Sequence, residues 1–205
     1  MSINRIISTR ISALLIKTPL RPNHVTTLAL LFGLLAGLTM SRGSHAAMLW
    51  GALWLHIAFV LDNCDGEIAR AKSLQTELGR KYDLVADTLV DLALWTGLGW
   101  GVWLVNQNPY WWTWALAACL GSIINQYQVV DERLRGVCTS THSKSEAKVL
   151  RKKKLHLRVL DAFSHNGDSV WPIWIMALMG DIGLFLIAGC VYINLMWIWR
   201  LISHK

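Results

Sequence analysis

Apolar runs long enough to cross a bilayer recur along this chain, and they constrain its fold more than any other feature. They cover roughly residues 24–41, 46–64, 82–105, 111–130, 168–180 and 183–199. A backbone exposed to hydrocarbon must satisfy its own hydrogen bonds, and these runs lack the alternation of barrel strands, so they read as helices. Of the 205 residues 54% are hydrophobic and only 16% are charged, with a mean hydropathy of +0.37. That balance excludes an ordinary soluble domain. The expectation is an all-α integral membrane protein of one domain, residues 1–205, with a six-span bundle over 22–200.

The basic residues set the orientation. With the N-terminus in the cytoplasm, all 20 Lys and Arg residues except Arg42 fall on the inner side. Cytoplasmic loops of membrane proteins carry this excess. Six spans then leave both termini in the cytoplasm. The net charge of +7 is therefore an orientation and anionic-lipid signal, and no nucleic-acid motif accompanies it. Many of the 12 tryptophans flank the expected span ends, as an aromatic belt would. The four cysteines are scattered, with no CxxC pair, and Cys64 reads as a small packing residue.

Residues 2–17 do not read as a signal peptide, because the apolar stretch is short and Arg10 interrupts it. Ile3, Ile6, Ile7, Ile11, Leu14 and Leu15 recur at helical spacing between Arg5, Arg10 and Lys17. This pattern predicts an amphipathic helix in the cytoplasmic interface. Pro19 and Pro22 end it in a rigid elbow, completing a segment 1–21, and Asn23 is placed to cap the first span.

Against this apolar background stand Asp62, Asp65, Asp83 and Asp87, in the pattern D-x2-D-G-x2-A-R-x8-G-x3-D-x3-D. Ionisable groups beside membrane spans are costly and rarely face lipid. Asp62 and Asp65 are three apart and Asp83 and Asp87 four apart, so each pair shares a helix face. A short turn joins the two helices, which makes them antiparallel neighbours whose acidic ends converge. Four carboxylates held together call for positive charge, most simply one or two oxygen-bound divalent cations. Asp91 continues the row and reads as support or packing.

Residues 131–167 form a basic cytoplasmic loop, including Arg133, Arg158 and the run Arg151–Lys154. It either touches anionic headgroups or binds a phosphate. The span 168–180 rises only about 20 Å, short of a hydrocarbon core of roughly 30 Å. On that count His165, Asn166 and Asp168 dip below the surface and line the cavity of the aspartates. The alternative is a helix that begins near Leu157 and is kinked at Gly167.

The stretch Asp62-Asn-Cys-Asp-Gly-Glu-Ile-Ala-Arg70, with Gly79, Asp83 and Asp87, resembles the signature of the CDP-alcohol phosphotransferase family of membrane lipid enzymes. Every fixed position matches, and Pro22-Asn23-x-x-Thr26 is similar to the family's N-terminal elbow. The resemblance spans about residues 5–130, with Thr18–Thr27 and Leu61–Arg70 most similar to enzymes making inositol-phosphate phospholipids.

It implies a six-span fold, a homodimer and a site facing the cytoplasmic leaflet. The implied reaction transfers a substituted phosphoryl group from a CDP-linked donor such as CDP-diacylglycerol to an alcohol, releasing CMP. Two ions of Mg²⁺ or Mn²⁺ would be held by Asp62, Asp65 and Asp83, with Asp87 touching one. Gly66, Ala69, Arg70 and Gly79 would shape the cytidine pocket, with Asp65 and Thr26 also near the donor. Asp87 is the natural general base for the acceptor hydroxyl. Arg133, Arg158, His165, Asn166 and Asp168 are the candidate acceptor ligands, for a phosphorylated acceptor such as inositol phosphate or glycerol phosphate. The lipid itself could instead be the acceptor. The alternative of another class is a divalent-cation transporter or channel. That alternative would not need the Gly-x2-Ala-Arg between its acids, and its acids would lie nearer the midplane.

Overall fold

A computed structural model of the protein describes residues 3–139 and 171–203. Among these every regular element is α-helical: α1 (Ile3–Leu15), α2 (Pro22–Met40), α3 (His45–Ala71), α4 (Glu77–Asn106), α5 (Tyr110–Thr139), α6 (Trp171–Met179) and α7 (Ile182–Ser203). Among the described residues four stretches are long and apolar enough to cross a membrane: α2, α3, α4 and the Ile182–Trp199 part of α7. Six spans were expected. In α5 Asn125, Gln126 and Gln128 interrupt the apolar run, and α6 is described only from Trp171 onward.

Local chemistry sets the helix ends. Ser44 and Thr76 cap α3 and α4, their hydroxyls accepting from the amides of Ala47 (3.2 Å) and Gly79 (3.0 Å). The Thr76 cap starts α4 ahead of the apolar run that marks it in the sequence, so Gly79 lies within the first turn. Asn23, expected as the cap of the first span, instead lies in the first turn of α2. The helix begins at Pro22, whose fixed φ suits the first helical position. Gly180, with φ +75°, ends α6, and the Asp181 carboxylate accepts from the Leu184 amide at 2.9 Å to start α7.

α2 packs on α3 and α4, α4 on α5, and α5 on α7, while α6 bridges α3 and α7. The α2–α4 crossing is a main-chain contact. A methyl group added at Gly97 would overlap the Gly37 carbonyl, and one at Gly37 would overlap that of Ala93. Small residues let helices approach this closely within a bilayer, where packing rather than water expulsion holds them. Met40, Met48, Leu98, Val102 and Leu186 fill the interior around that crossing.

Three tryptophans turn inward rather than joining a belt. The indole N–H of Trp95 donates to Ser122 at 2.8 Å, that of Trp174 to His56 at 3.1 Å, and that of Trp197 to Asn194 at 2.9 Å. Each ties two polar groups together where water is scarce. Trp50 and Trp100 remain exposed, as belt residues are.

α1 lies along α3. Its buried face is polar and small: Asn4, Ser8 and Ser12 are almost wholly covered. Ile11 and Leu15 pack beside them on Val60, Cys64 and Ile68. The Ser8 and Thr9 hydroxyls donate to Glu67 at 3.2 and 3.4 Å. Ile6, Ile7 and Leu14 are left exposed.

Candidate functional site

Asp62 on α3 and Asp83 and Asp87 on α4 converge on one point. Each offers an oxygen such that these atoms lie within 4.8 Å of one another. The connection between the two helices makes this possible. It is five residues long, Lys72–Thr76, and it reverses the chain through Ser73 at φ +54°. The Leu74 amide returns to the Ala69 carbonyl at 2.9 Å and closes the turn. Helix periodicity then aligns the acids, since Asp83 and Asp87 sit one turn apart on α4.

The cluster fits a hard divalent cation. Two oxygens bound to one Mg²⁺ at about 2.0–2.1 Å stand at most about 4.2 Å apart, so small side-chain rotations bring this set into range. The ligand set is all carboxylate, which suits Mg²⁺ or Mn²⁺ and not a thiolate-seeking metal. Arg80, on the neighbouring turn, is taken by Glu77 in an ion pair and leaves the aspartates to other partners.

Asp65 stands beside this trio. It is buried, and the Thr26 hydroxyl on α2 donates to its Oδ2. It is close enough to Asp62 and Asp83 to interact with them electrostatically. Of the four expected metal ligands, the structure thus joins three in one group and gives the fourth a hydroxyl partner. Thr26, expected near the nucleotide, is hydrogen-bonded both to Asp65 and, at 3.2 Å, to the Pro22 carbonyl.

The remaining signature residues surround the same corner. A methyl at Gly66 would sit 3.3 Å from a terminal nitrogen of Arg70, so the glycine lies under the guanidinium. Arg70 is exposed and therefore free to reach a ligand phosphate, while Ala69 one turn on from Gly66 is half-buried. A methyl at Gly79 would meet the Asn23 side-chain oxygen at 3.3 Å. Gly79 is thus where the starts of α2 and α4 come together.

Four contacts were not foreseen from the sequence. Lys72 donates from Nζ to the carbonyls of Thr18 (2.7 Å) and Leu20 (2.9 Å). Thr27 and Tyr82 share a hydrogen bond of 2.9 Å between α2 and α4. Glu67 receives Ser8 and Thr9, and Ser122 receives the indole N–H of Trp95. Polar residues on helix faces opposite the signature were the available signal. The acceptor candidates Arg158, His165, Asn166 and Asp168 lie outside the described residues, as does the side chain of Arg133.

Comparison with known proteins shows the family. The family model for CDP-alcohol phosphatidyltransferase matches residues 20–201, and the chain belongs to that family of transferases. A bifunctional IPC transferase and DIPP synthase of Thermococcus kodakarensis is 35% identical over 151 residues, covering 73% of this chain and 32% of that protein. One of Aquifex aeolicus is 29% identical over 197 residues, 95% of this chain and 41% of that protein. The chain therefore spans about a third to two-fifths of these relatives. A phosphatidylinositol phosphate synthase of Mycobacteroides abscessus is 31% identical over 96 residues, 46% of this chain and 42% of that protein. In fold, the chain is similar to the crystal structure of apo phosphatidylinositol phosphate synthase from Mycobacterium tuberculosis. The TM-score is 0.55 at 19% identity, covering 94% of this chain and 93% of that one.

Proposed function

We propose that this protein is a membrane phospholipid-synthesising phosphotransferase. It carries a phosphatidyl group from CDP-diacylglycerol to the hydroxyl of a water-soluble, phosphorylated alcohol and releases CMP. The observation that carries this reading is the meeting of Asp62, Asp83 and Asp87 within 4.8 Å, beside the Gly66–Arg70 corner, in a chain of this family.

The residues divide the chemistry. When bound, two divalent cations supply the positive charge that phosphoryl transfer needs on the donor pyrophosphate. Asp62, Asp65 and Asp83 would hold them, and Asp87 would touch one. Gly66 and Gly79 leave room for the cytidine, Ala69 lies along it, and Arg70 reaches a phosphate. Asp87, last on the α4 face, accepts the proton of the acceptor hydroxyl as its oxygen attacks the phosphatidyl phosphorus. The bond from that phosphorus to CMP breaks, and CMP leaves with the electron pair.

The similarity to phosphatidylinositol phosphate synthases favours an inositol phosphate as acceptor, and Arg133, Arg158, His165, Asn166 and Asp168 are its proposed ligands. The active site faces the cytoplasmic leaflet, with both termini on that side and α1 lying in the interface with Ile6, Ile7 and Leu14 towards lipid. The working unit is proposed to be a homodimer.

The test is a panel of water-soluble alcohols and their phosphates, each incubated with CDP-diacylglycerol and Mg²⁺ and scored by lipid product mass. One new phospholipid with stoichiometric CMP is the expected result. Absence of CMP release from every acceptor, alongside Mn²⁺ uptake into proteoliposomes, would replace this reading with a cation carrier.

A further inference from the structure

Resting on the phosphotransferase reading, we propose that Lys72 is a positioning residue for the CDP donor. Its ammonium clamps the elbow between α1 and α2, so that α2 starts in the register that brings Thr26 onto Asp65. Lys72 is not part of the acidic signature.

The elbow's own hydrogen bonds are few and long, the Leu20 amide reaching the Thr18 hydroxyl at 3.4 Å and the Arg21 amide the His24 ring at 3.5 Å. Pro19 and Pro22 have no N–H, and each fixes its own φ. The Thr18 hydroxyl closes α1 by donating to the Leu15 carbonyl at 2.6 Å. Two carbonyls of the elbow, those of Thr18 and Leu20, instead accept from Lys72 Nζ at 2.7 and 2.9 Å. An ammonium has three donors and no acceptor, so a pair of backbone carbonyls matches it. Hydrogen bonds with one charged partner are also stronger than neutral ones.

The Lys72 main chain is equally fixed. It forms the C-cap of α3, its amide bonding the Ile68 carbonyl at 2.9 Å. A cation there also suits the negative end of the helix dipole. A lysine at the membrane surface would ordinarily extend towards lipid headgroups. This one turns inward to main-chain atoms and is half-buried.

What the clamp controls lies one turn beyond the elbow. α2 begins at Pro22, and its first two turns supply three contacts. Thr26 reaches Asp65 on α3, Thr27 reaches Tyr82 on α4, and Asn23 abuts Gly79 on α4. All three depend on the height at which α2 enters the bundle. Lys72 ties that height to α3, the helix that bears Asp62 and Asp65. Losing the clamp should loosen the donor corner and leave the α4 base in place.

The experiment uses the full chain in detergent with CDP-diacylglycerol and Mg²⁺. Lys72→Met keeps the aliphatic stem and removes the ammonium. It is expected to raise KM for the donor about tenfold, the worth of one charged hydrogen bond, with kcat within about twofold. Lys72→Arg, which can also donate to both carbonyls, should recover most of the loss. Combined with Thr26→Val, Lys72→Met should cost no more than Thr26→Val alone, because both act at one contact. Multiplying effects, or a fall in kcat at unchanged KM, would overturn the proposal.

Hydrogen exchange over residues 18–27 supplies an arm that does not depend on turnover. Faster exchange there in Lys72→Met, with α4 unchanged, supports the clamp, and unchanged protection overturns it. If the wild-type protein binds no CDP donor, the phosphotransferase reading fails, while the clamp still stands or falls on exchange. Should Lys72→Met not fold, Lys72→Gln, with one neutral amide donor, carries the same comparison at about threefold.

Discussion

The Thr26 hydroxyl on α2 donates to Asp65 on α3, joining two helices that the chain separates by a four-residue turn, 41–44. Asp65 is buried, so this bond supports a carboxylate that water cannot fully solvate. Asp62 and Asp83 stand near enough to interact with Asp65 electrostatically.

Removing that donor should therefore damage the site more than the fold. Thr26→Val keeps the shape and is expected to lower kcat/KM about 10–100-fold, the range for losing a hydrogen bond to a charged group. Thr26→Ser should stay within about threefold, since it restores the hydroxyl. Steady-state CMP release reads both, and equal behaviour of the two variants would deny Thr26 this role.

The acid trio predicts a metal requirement that can be read without turnover. Mn²⁺ titration followed by electron paramagnetic resonance should show binding to the wild type. Asp83→Asn, with one ligand weakened, should bind at least about tenfold more weakly. Chelator should abolish CMP release, and added Mg²⁺ or Mn²⁺ should restore it. Mn²⁺ binding indifferent to Asp83 would place the ion elsewhere.

Asp87 should separate binding from chemistry. Asp87→Asn cannot take the acceptor proton, so transfer should fall about 10²–10⁴-fold, the usual contribution of a general base. Affinity for the CDP donor should change by no more than about threefold. Near-normal turnover in this variant would assign the proton to another group.

Packing at the α2–α4 crossing gives a prediction about folding alone. Gly97→Val would drive two methyl groups into the Gly37 main chain. Overpacking of this kind costs about 1–3 kcal/mol or more, so the midpoint of thermal unfolding in detergent should drop by several degrees. Leu38→Ala, on the exposed face of the same crossing, should leave the midpoint nearly unchanged.

The acid trio was readable in the sequence because three regularities agree there. Carboxylates spaced three and four apart share helix faces, the intervening turn is short, and apolar flanks leave the acids one place to go. Helix boundaries were less legible. α3 runs on to Ala71 and α4 starts at Glu77, because Gly66 does not break the helix and Thr76 caps earlier than the apolar run begins.

The orientation of α1 was only half legible. Its isoleucines announce an amphipathic helix, but the face turned to α3 is built from Asn4, Ser8 and Ser12. Short side chains allow close approach to Cys64, and Glu67 needs the hydroxyls of Ser8 and Thr9. Hydrophobic periodicity marks which face is greasy, not which solvent that face meets when lipid is present. The partners of Thr26 and Lys72 were hidden for a different reason, since they depend on contacts 39 and 54 residues away.

Gly37 and Gly97 also bear on how such a chain can change over generations. Where two main chains touch, no larger residue fits without prising the helices apart, so drift is barred from that seam. α5 and α7 meet differently, the side chains of Asn194 and Gln128 reaching the carbonyls of Ala117 and Trp197, and a contact made by a side chain can be exchanged without parting two main chains.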